Sequence, residues 1–447
     1  MKTLNNIKFK KRFDISFKGE PTLNIKEVEQ KGNIGIVPEQ FKFIKAKLVV
    51  KEGEEVQQGQ AIFFDKKNPQ VYFHSPVSGT VKNIVYGYQR KLELVEIEPN
   101  QAAPLEFQPV DIESLSTTQA KSVLLERGLW PYFLEMPFHN IPSPDATPPA
   151  IIVRFSNPEP FHAKLSTVIN NVEDDLIKGI QFLQKITSKI VVIADAEEQM
   201  NLDAISEIAQ VTRIKGDFSL FEHGSALYHV KDSVEENKSW VCDWQYLVKI
   251  SQTLTNNQYA NHQLICVGGN QEEDNQHYRV IEGMNIDAIV KKKNPTDRII
   301  FGGLFSGLHI KAANYLPIGV DAINIIDSEP ETEFMSFLQP GFDKPSFTTA
   351  YLSGFLNKFQ KTPTSTAVNG SERDCVSCGY CEDVCPVDSL PQNILRNVKG
   401  NDVEEAMKYG LLDCTSCGVC TYVCPSKIDL SSIFSDAKDQ LYKEVTA

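Results

Sequence analysis

The chain has 447 residues, room for roughly three domains at about 150 residues each, and its 41% hydrophobic and 23% charged content is that of a folded globular protein. With 45 basic against 58 acidic side chains the formal net charge is −13, which argues against nucleic acid as a partner and against holding an anionic bilayer by charge. No window approaches about 18 consecutive apolar residues, so neither a spanning helix nor a direct lipid anchor is expected.

The opening stretch MKTLNNIKFKKRFDISF is basic but has no apolar core and no small-residue cleavage site, so it does not read as a secretory signal. Residues 1–35 look like a lead-in with a strand or two. A dense β pattern follows. Leu48-Val49-Val50, Ala61-Ile62-Phe63-Phe64, Val71-Tyr72-Phe73 and Thr80-Val81 through Val85 are separated by turns at Lys51–Gln60, Lys66-Lys67-Asn68-Pro69 and Ser75–Gly79. Short strands between closely spaced Gly and Pro turns predict a small barrel or sandwich over 1–103. The phrase KEGEEVQQGQAIFFDKKN…SPVSGTV resembles the biotinyl/lipoyl barrel-sandwich hybrid. In that fold a lysine at a hairpin tip carries the swinging arm, and Lys66 or Lys67 falls near the tip. The plainer reading is a shared scaffold with two exposed turn lysines, because fold does not imply function.

Over 104–258 an α/β pattern is expected. A helix around 116–127 ends at Gly128-Leu129-Trp130-Pro131, with Gly as a C′ residue and Pro stopping continuation. Residues 137–149 are proline-rich and read as loop. Strands at 150–153, 189–194 and 211–214 alternate with helices over 165–186 and 202–209, a pattern that predicts a parallel sheet of Rossmann-like topology. No strand-to-helix turn carries G-x-G-x-x-G, so the dinucleotide cradle is missing from the sequence. Tight binding of NADH or flavin by the chain alone is therefore not expected. Cys242 and Cys266 lie in apolar, strand-like contexts and read as buried structural thiols.

Residues 259–335 return to short strands at 263–267, 278–280, 298–301 and 322–326, assigned here to a β-grasp domain. The stretch Gly302-Gly303-Leu304-Phe305-Ser306-Gly307 could be offered as a phosphate loop. It lacks the following Lys-Ser/Thr, and close backbone packing is the better account. Residues 336–447 form a helical C-terminal domain, with a helix at 351–359, a polar linker over 361–370, helical spacers at 393–398 and 403–409, and a final polar helix over 430–445.

The ferredoxin-like part, 371–430, holds eight of the ten cysteines. Cys375-x-x-Cys378-x-x-Cys381-x-x-x-Cys385-Pro386 recurs as Cys414-x-x-Cys417-x-x-Cys420-x-x-x-Cys424-Pro425. This is the spacing of two-cluster bacterial ferredoxins, in which the fourth cysteine of each run ligates the other cluster. One [4Fe–4S] cluster is thus expected on Cys375, Cys378, Cys381 and Cys424, and the second on Cys414, Cys417, Cys420 and Cys385. Gly379 and Gly418 let the backbone pass close to inorganic sulfide. Zinc sites pair C-x2-C units across a longer spacer, and disulfides need an oxidising compartment for which nothing else in the chain speaks.

Taken together, this domain order resembles the RnfC/NqrA family over almost the whole chain. The NqrA branch, which belongs to Na+-translocating NADH:quinone reductases, is approached by Leu124-Leu125-Glu126-Arg127-Gly128-Leu129-Trp130, by Met136-Pro137-Phe138, by Asp145-Ala146-Thr147-Pro148-Pro149-Ala150-Ile151 and by Gln339-Pro340-Gly341-Phe342-Asp343-Lys344. The glycine-rich GGAGFP-like loop of the Rnf branch is replaced by Gly128-Leu129-Trp130-Pro131-Tyr132. Where the NqrA branch has a His-Pro-Ala-Gly phrase, this chain has Glu222-His223-Gly224-Ser225-Ala226. Many members of the NqrA branch have degenerate C-terminal cysteines, whereas all eight are present here.

The resemblance implies a peripheral subunit on the cytoplasmic side of a bacterial inner membrane. It would belong to a reductase that couples NADH oxidation and quinone reduction to sodium export. The implied partners are integral membrane subunits, with flavins and NADH on partner subunits and a quinone association left open. The alternatives are an RnfC-type subunit of a ferredoxin:NAD+ oxidoreductase and a soluble iron–sulfur dehydrogenase subunit.

Overall fold

The structure is a computed structural model that describes residues 5–8 as backbone and 21–269, 275–290, 297–308, 310, 314–326 and 371–446 in full. The helix expected over 351–359, the linker over 361–370 and the phrase at 339–344 lie outside the described residues.

Two small antiparallel sheets make the barrel. Ile34–Ile36, Leu92–Pro99, Gly79–Tyr86 and Glu55–Val56 form one, and Ala46–Leu48, Ala61–Asp65 and Tyr72–His74 the other. Alternation along these strands turns Ile34, Ile36, Phe63, Phe73, Val81 and Ile97 inward. Phe63 and Phe73 stack at 4.5 Å. Lys66 and Lys67 sit exposed in the turn after Ala61–Asp65. The Asp65 carboxylate shapes that turn by accepting the Lys67 and Lys45 backbone N–H groups at 3.1 and 2.8 Å.

The two strands of the lead-in pair outside the barrel. Asn5–Lys8 lies parallel to Gln210–Lys215 at the edge of the α/β sheet, and Thr22–Glu27 lies parallel to Gln276–Ile281 at the edge of the five-stranded sheet. TLNIKE buries little. A strand so polar makes no core of its own, and the backbone partners come from existing sheet edges.

The α/β unit has its parallel strands in the order Gln210–Lys215, Ile190–Asp195, Ile151–Arg154, Trp240–Asp243, with Leu134–Glu135 antiparallel at the far edge. The two central strands are apolar and buried on both faces because helices cover both sides. Val172, Leu176, Ile180 and Leu183 of Ile169–Leu183 recur at helical spacing and face the core. Gly179 admits the neighbouring helix Trp244–Asn256, since a Cβ there would lie 2.7 Å from the Cβ of Leu247. Chain order runs outward on one side of Ile151–Arg154 and resumes on the other at Trp240–Asp243. The carboxyl ends of these two strands are therefore the topological switch point, where such sheets place their sites.

Helix Thr117–Glu126 begins with a Ser116/Gln119 capping box. It ends as expected, with Gly128 at φ +66° donating to the Leu125 carbonyl and Leu129 donating to that of Leu124. A side chain on Gly128 would strike the His74 ring, so this helix end also docks the barrel.

The C-terminal unit packs Ile394, Leu395, Leu411, Ile428, Leu430 and Phe434 between helices Pro391–Lys399, Val403–Lys408 and Leu430–Val445. The last helix reaches back to the barrel. Tyr442 stacks on Phe43 at 4.0 Å, Lys67 Nζ stands 5.5 Å from the Tyr442 ring centre, and Lys42 pairs with Asp439 at 3.3 Å. Among the described residues no helix is long and apolar enough to cross a membrane.

Candidate metal centre

The repeat in sequence is a repeat in backbone. Ser377 and Ser416 have φ +53° and +58°, Gly379 and Gly418 +80° and +76°, and Asp388 and Lys427 +51° and +58°. Each glycine is the N-cap of one short turn of helix, Tyr380–Asp383 in the first run and Val419–Val423 in the second. The left-handed residue inside each Cys-x-x-Cys turn curls the chain back on itself, while among the described residues no three His, Cys, Asp or Glu side chains are grouped closely enough to hold a metal ion.

The structure brings together Cys385, Cys414, Cys417 and Cys420, which line one cavity with Pro386, Ile394 and Phe434. Cys385 belongs to the first run and the other three to the second. Cys424 lies in the apolar core of the domain, and Cys381 packs against that core. Cys375 and Cys378 are exposed, and Cys375 Sγ accepts the Ser377 N–H at 3.5 Å. Segment 373–374 is tied to the second run by Arg373 N–H donating to the Ser426 carbonyl and Ser426 Oγ donating to that of Asp374, both at 2.8 Å.

Burial pushes the thiols of Cys417, Cys420 and Cys385 up, with neighbouring thiols adding to it, and Cys381 is pushed up to about 11 by burial, Glu382 and Cys378. Such thiols ionise when a bound metal supplies the compensating charge. Four soft thiol donors around a cavity walled by Ile394 and Phe434 suit an iron–sulfur cluster and would hold it by Cys385, Cys414, Cys417 and Cys420.

The second run is covered by the rest of the molecule. Phe305 stacks on Phe218 at 4.9 Å and meets the Tyr422 ring edge-on at 5.6 Å. Ser225 Oγ donates to Thr415 Oγ1 at 3.4 Å, and Lys438 Nζ, itself buried, donates to the Cys414 carbonyl at 2.7 Å. At the end of the first run, His229 Nε2 donates to the Pro386 carbonyl at 2.7 Å.

The loop carrying Phe305 is Gly302–Gly307, and its anion-binding amides are already occupied. The Glu159 carboxylate accepts the N–H groups of Phe305 and Ser306 at 2.7 and 3.3 Å and the Ser306 hydroxyl at 2.8 Å. A side chain on Gly303 would overlap that carboxylate. An internal carboxylate thus takes the place a phosphate would need, in agreement with the close-packing account.

Glu159 belongs to a buried ionic cluster at the switch point that sequence reasoning missed. His162 Nδ1 donates to Asp321 at 2.9 Å and its Nε2 lies 3.6 Å from Glu159. Burial opposes the charge on His162, but Asp321 and Glu159 outweigh it and push the imidazole up to about 10. Arg154 grips Asp243 through two bonds of 2.6 and 3.1 Å, and His223 lies 3.2 Å from the same carboxylate. Burial works against the Asp243 charge, yet Arg154 and His223 hold the carboxyl well below its usual range. The one available signal was a charge ending each apolar strand, Arg154 after Ile151–Val153 and Asp243 after Trp240–Cys242.

Family models match three stretches of the chain: the NqrA N-terminal barrel-sandwich hybrid domain over residues 7–100, the NqrA second alpha/beta domain over 115–259, and a 4Fe-4S dicluster domain over 374–428. The chain is 28% identical over 412 residues to the A subunit of the Na(+)-translocating NADH-quinone reductase of Teredinibacter turnerae, covering 91% of this chain and 92% of that one. It is 29% identical over 451 residues to the protein of the same name from Mannheimia succiniciproducens, covering 98% and 100%.

Proposed function

The chain belongs to the NqrA family, and from that premise we propose that it is a peripheral subunit, facing the cytoplasm, of a membrane reductase that couples NADH oxidation and quinone reduction to sodium export. The observation that carries this is the match to both NqrA domains together with relatives of that one name along nearly the full length. It is a subunit that does not catalyse alone, with flavins and NADH on partner subunits and quinone as a further associate. The α/β unit is read as Rossmann-like and the five-stranded unit as β-grasp.

Two [4Fe–4S] clusters are assigned to the chain, one on Cys375, Cys378, Cys381 and Cys424 and one on Cys414, Cys417, Cys420 and Cys385. They supply one-electron relay. Supporting this, Cys385 shares a cavity with the three cysteines of the other run. The polypeptide excludes water from the second site through Phe218 and Phe305 and fixes its loop through Lys438.

The eight intact cysteines favour one second reading, an RnfC-type subunit of a ferredoxin:NAD+ oxidoreductase. Affinity capture in mild detergent followed by mass spectrometry tests both. Sodium-pump reductase membrane subunits are expected. Rnf-type membrane subunits would change the enzyme, and recovery of soluble dehydrogenase subunits alone would reject the membrane assignment.

A further inference from the structure

The surface that Phe305 and Gly224 cover on the second cysteine run is, among the described residues, uncovered on the first. Thirty-nine positions separate equivalent residues, so Val376, Gly379 and Tyr380 correspond to Thr415, Gly418 and Val419. Gly418 lies against the Phe305 carbonyl and Thr415 against Gly224, whereas a Cβ on Gly379 would meet nothing within 4 Å. Val376 is 67% exposed and Tyr380 39%, where Val419 is 1%. Leu390 is also exposed, at 37%. The same segment carries Glu372, Asp374, Glu382, Asp383 and Asp388 against Arg373, with Glu372 paired to Lys399 at 3.8 Å and Lys427 close to Arg373.

We propose that this face docks a one-electron carrier protein whose contact patch is apolar at the centre and rimmed by lysine or arginine. The proposal rests on the two-cluster reading given above. The covered run is the template: there, small and apolar groups close over the glycine turn, and the bare run offers the same turn to another chain. The acidic rim selects a cationic partner and steers its approach, while the small apolar centre expels water at contact. An encounter of this kind sits at the small end of interface sizes, as fast electron exchange requires. One electron crosses per encounter. A cluster held by Cys375, Cys378, Cys381 and Cys424 would supply that exchange, with the carrier changing by one electron in the opposite sense. The acidic rim also repels an anionic bilayer, so the patch is fitted to protein rather than lipid.

The test uses the full-length holoprotein, prepared anaerobically, with a lysine-rich cytochrome c as probe and an acidic flavodoxin as comparator. Binding is followed by titration calorimetry, and zero-length carbodiimide cross-links are mapped by mass spectrometry. Cross-links at Glu372, Asp374, Asp383 or Asp388 are expected. Affinity should fall at least about tenfold as salt rises from about 20 to about 300 mM. Asp383→Lys with Asp388→Lys should weaken binding about tenfold, and Glu404→Lys on helix Val403–Lys408 less than about twofold. Cross-links scattered over the molecule, equal binding of the acidic comparator, or salt-independent binding overturns the docking proposal. Iron and sulfide counts on the same samples separate the two failures. Absent iron in the unmodified protein brings down the cluster reading, whereas full iron without face-specific binding brings down the docking surface alone. The cross-link map of the unmodified protein decides even if a charge-reversal variant misfolds.

Discussion

Gly379 and Gly418 start matching helical turns behind matching Cys-x-x-Cys segments, at φ +80° and +76°. A Cβ on Gly418 would press to 3.1 Å from the Phe305 carbonyl, and one on Gly379 would project into open space. Cys417 is buried beside Phe218, and its counterpart Cys378 is exposed. The two runs therefore share a backbone that short-range sequence dictates and differ in surroundings set by residues more than 100 positions away. Spacing and glycine set the two matching turns. Phe218, Gly224 and Phe305 cover one of them and leave the other facing outward.

The largest effects should come from the thiols. Cys417→Ser and Cys378→Ser should each lower iron from about eight to about four per chain, the loss of one four-iron site. Only Cys417→Ser should also lower the midpoint of thermal unfolding, because its site is built into the contact with the α/β unit. Cys385→Ala should remove the same spectroscopic signal as Cys414→Ala, despite lying in the other run. Loss of the signal shared with Cys375 instead would refute the crossing.

Next in size is the pair of glycine replacements, followed by denaturant unfolding. Gly379→Ala should cost about 1–2 kcal/mol, the strain of a left-handed alanine. Gly418→Ala should cost about 1–3 kcal/mol more, because the neighbouring Phe305 backbone has to move. Equal costs would mean that the cover over the second run is loose.

Aromatic truncation should follow the same order at smaller size. Phe305→Ala loses the stack on Phe218 and the edge contact with Tyr422, about 2 kcal/mol for a half-buried ring in two aromatic pairs. Tyr380→Ala on the open run should stay within about 0.5 kcal/mol.

The cover also carries a pH dependence. His162 is raised to about 10 in the fold from an ordinary value of 6.5. Its contribution to stability is therefore complete below about 6.5 and is lost as pH rises toward about 10, where the folded imidazole releases its proton. Between these limits the wild-type chain should lose stability more steeply than His162→Gln. Parallel curves would mean that Asp321 and Glu159 do not hold the charged form.

Much of the fold could be read from short-range pattern. The apolar runs before Arg154 and Asp195 mark buried strands, Ser116 with Gln119 marks a helix start, Gly128 its end, and the cysteine spacing the metal turns, because each depends on chemistry within a few residues. The sequence by itself thus determined the elements and the donor set. It also pointed away from a phosphate role for Gly302–Gly307, since the lysine that such a loop needs is missing. What only the tertiary structure decided is where these parts meet. Thr22–Glu27 joins Gln276–Ile281 across 254 positions, with Thr22 Oγ1 donating to Gln276 Oε1. Glu159 fills the amides of a loop 147 positions away, and His162 finds Asp321 across 159. Sheet edges and buried charges accept any partner of matching geometry, so no local signal announces them. Their pairing is fixed only when the packed core sets the distances, and that packing leaves one cysteine turn beneath Phe305 and its twin in the open.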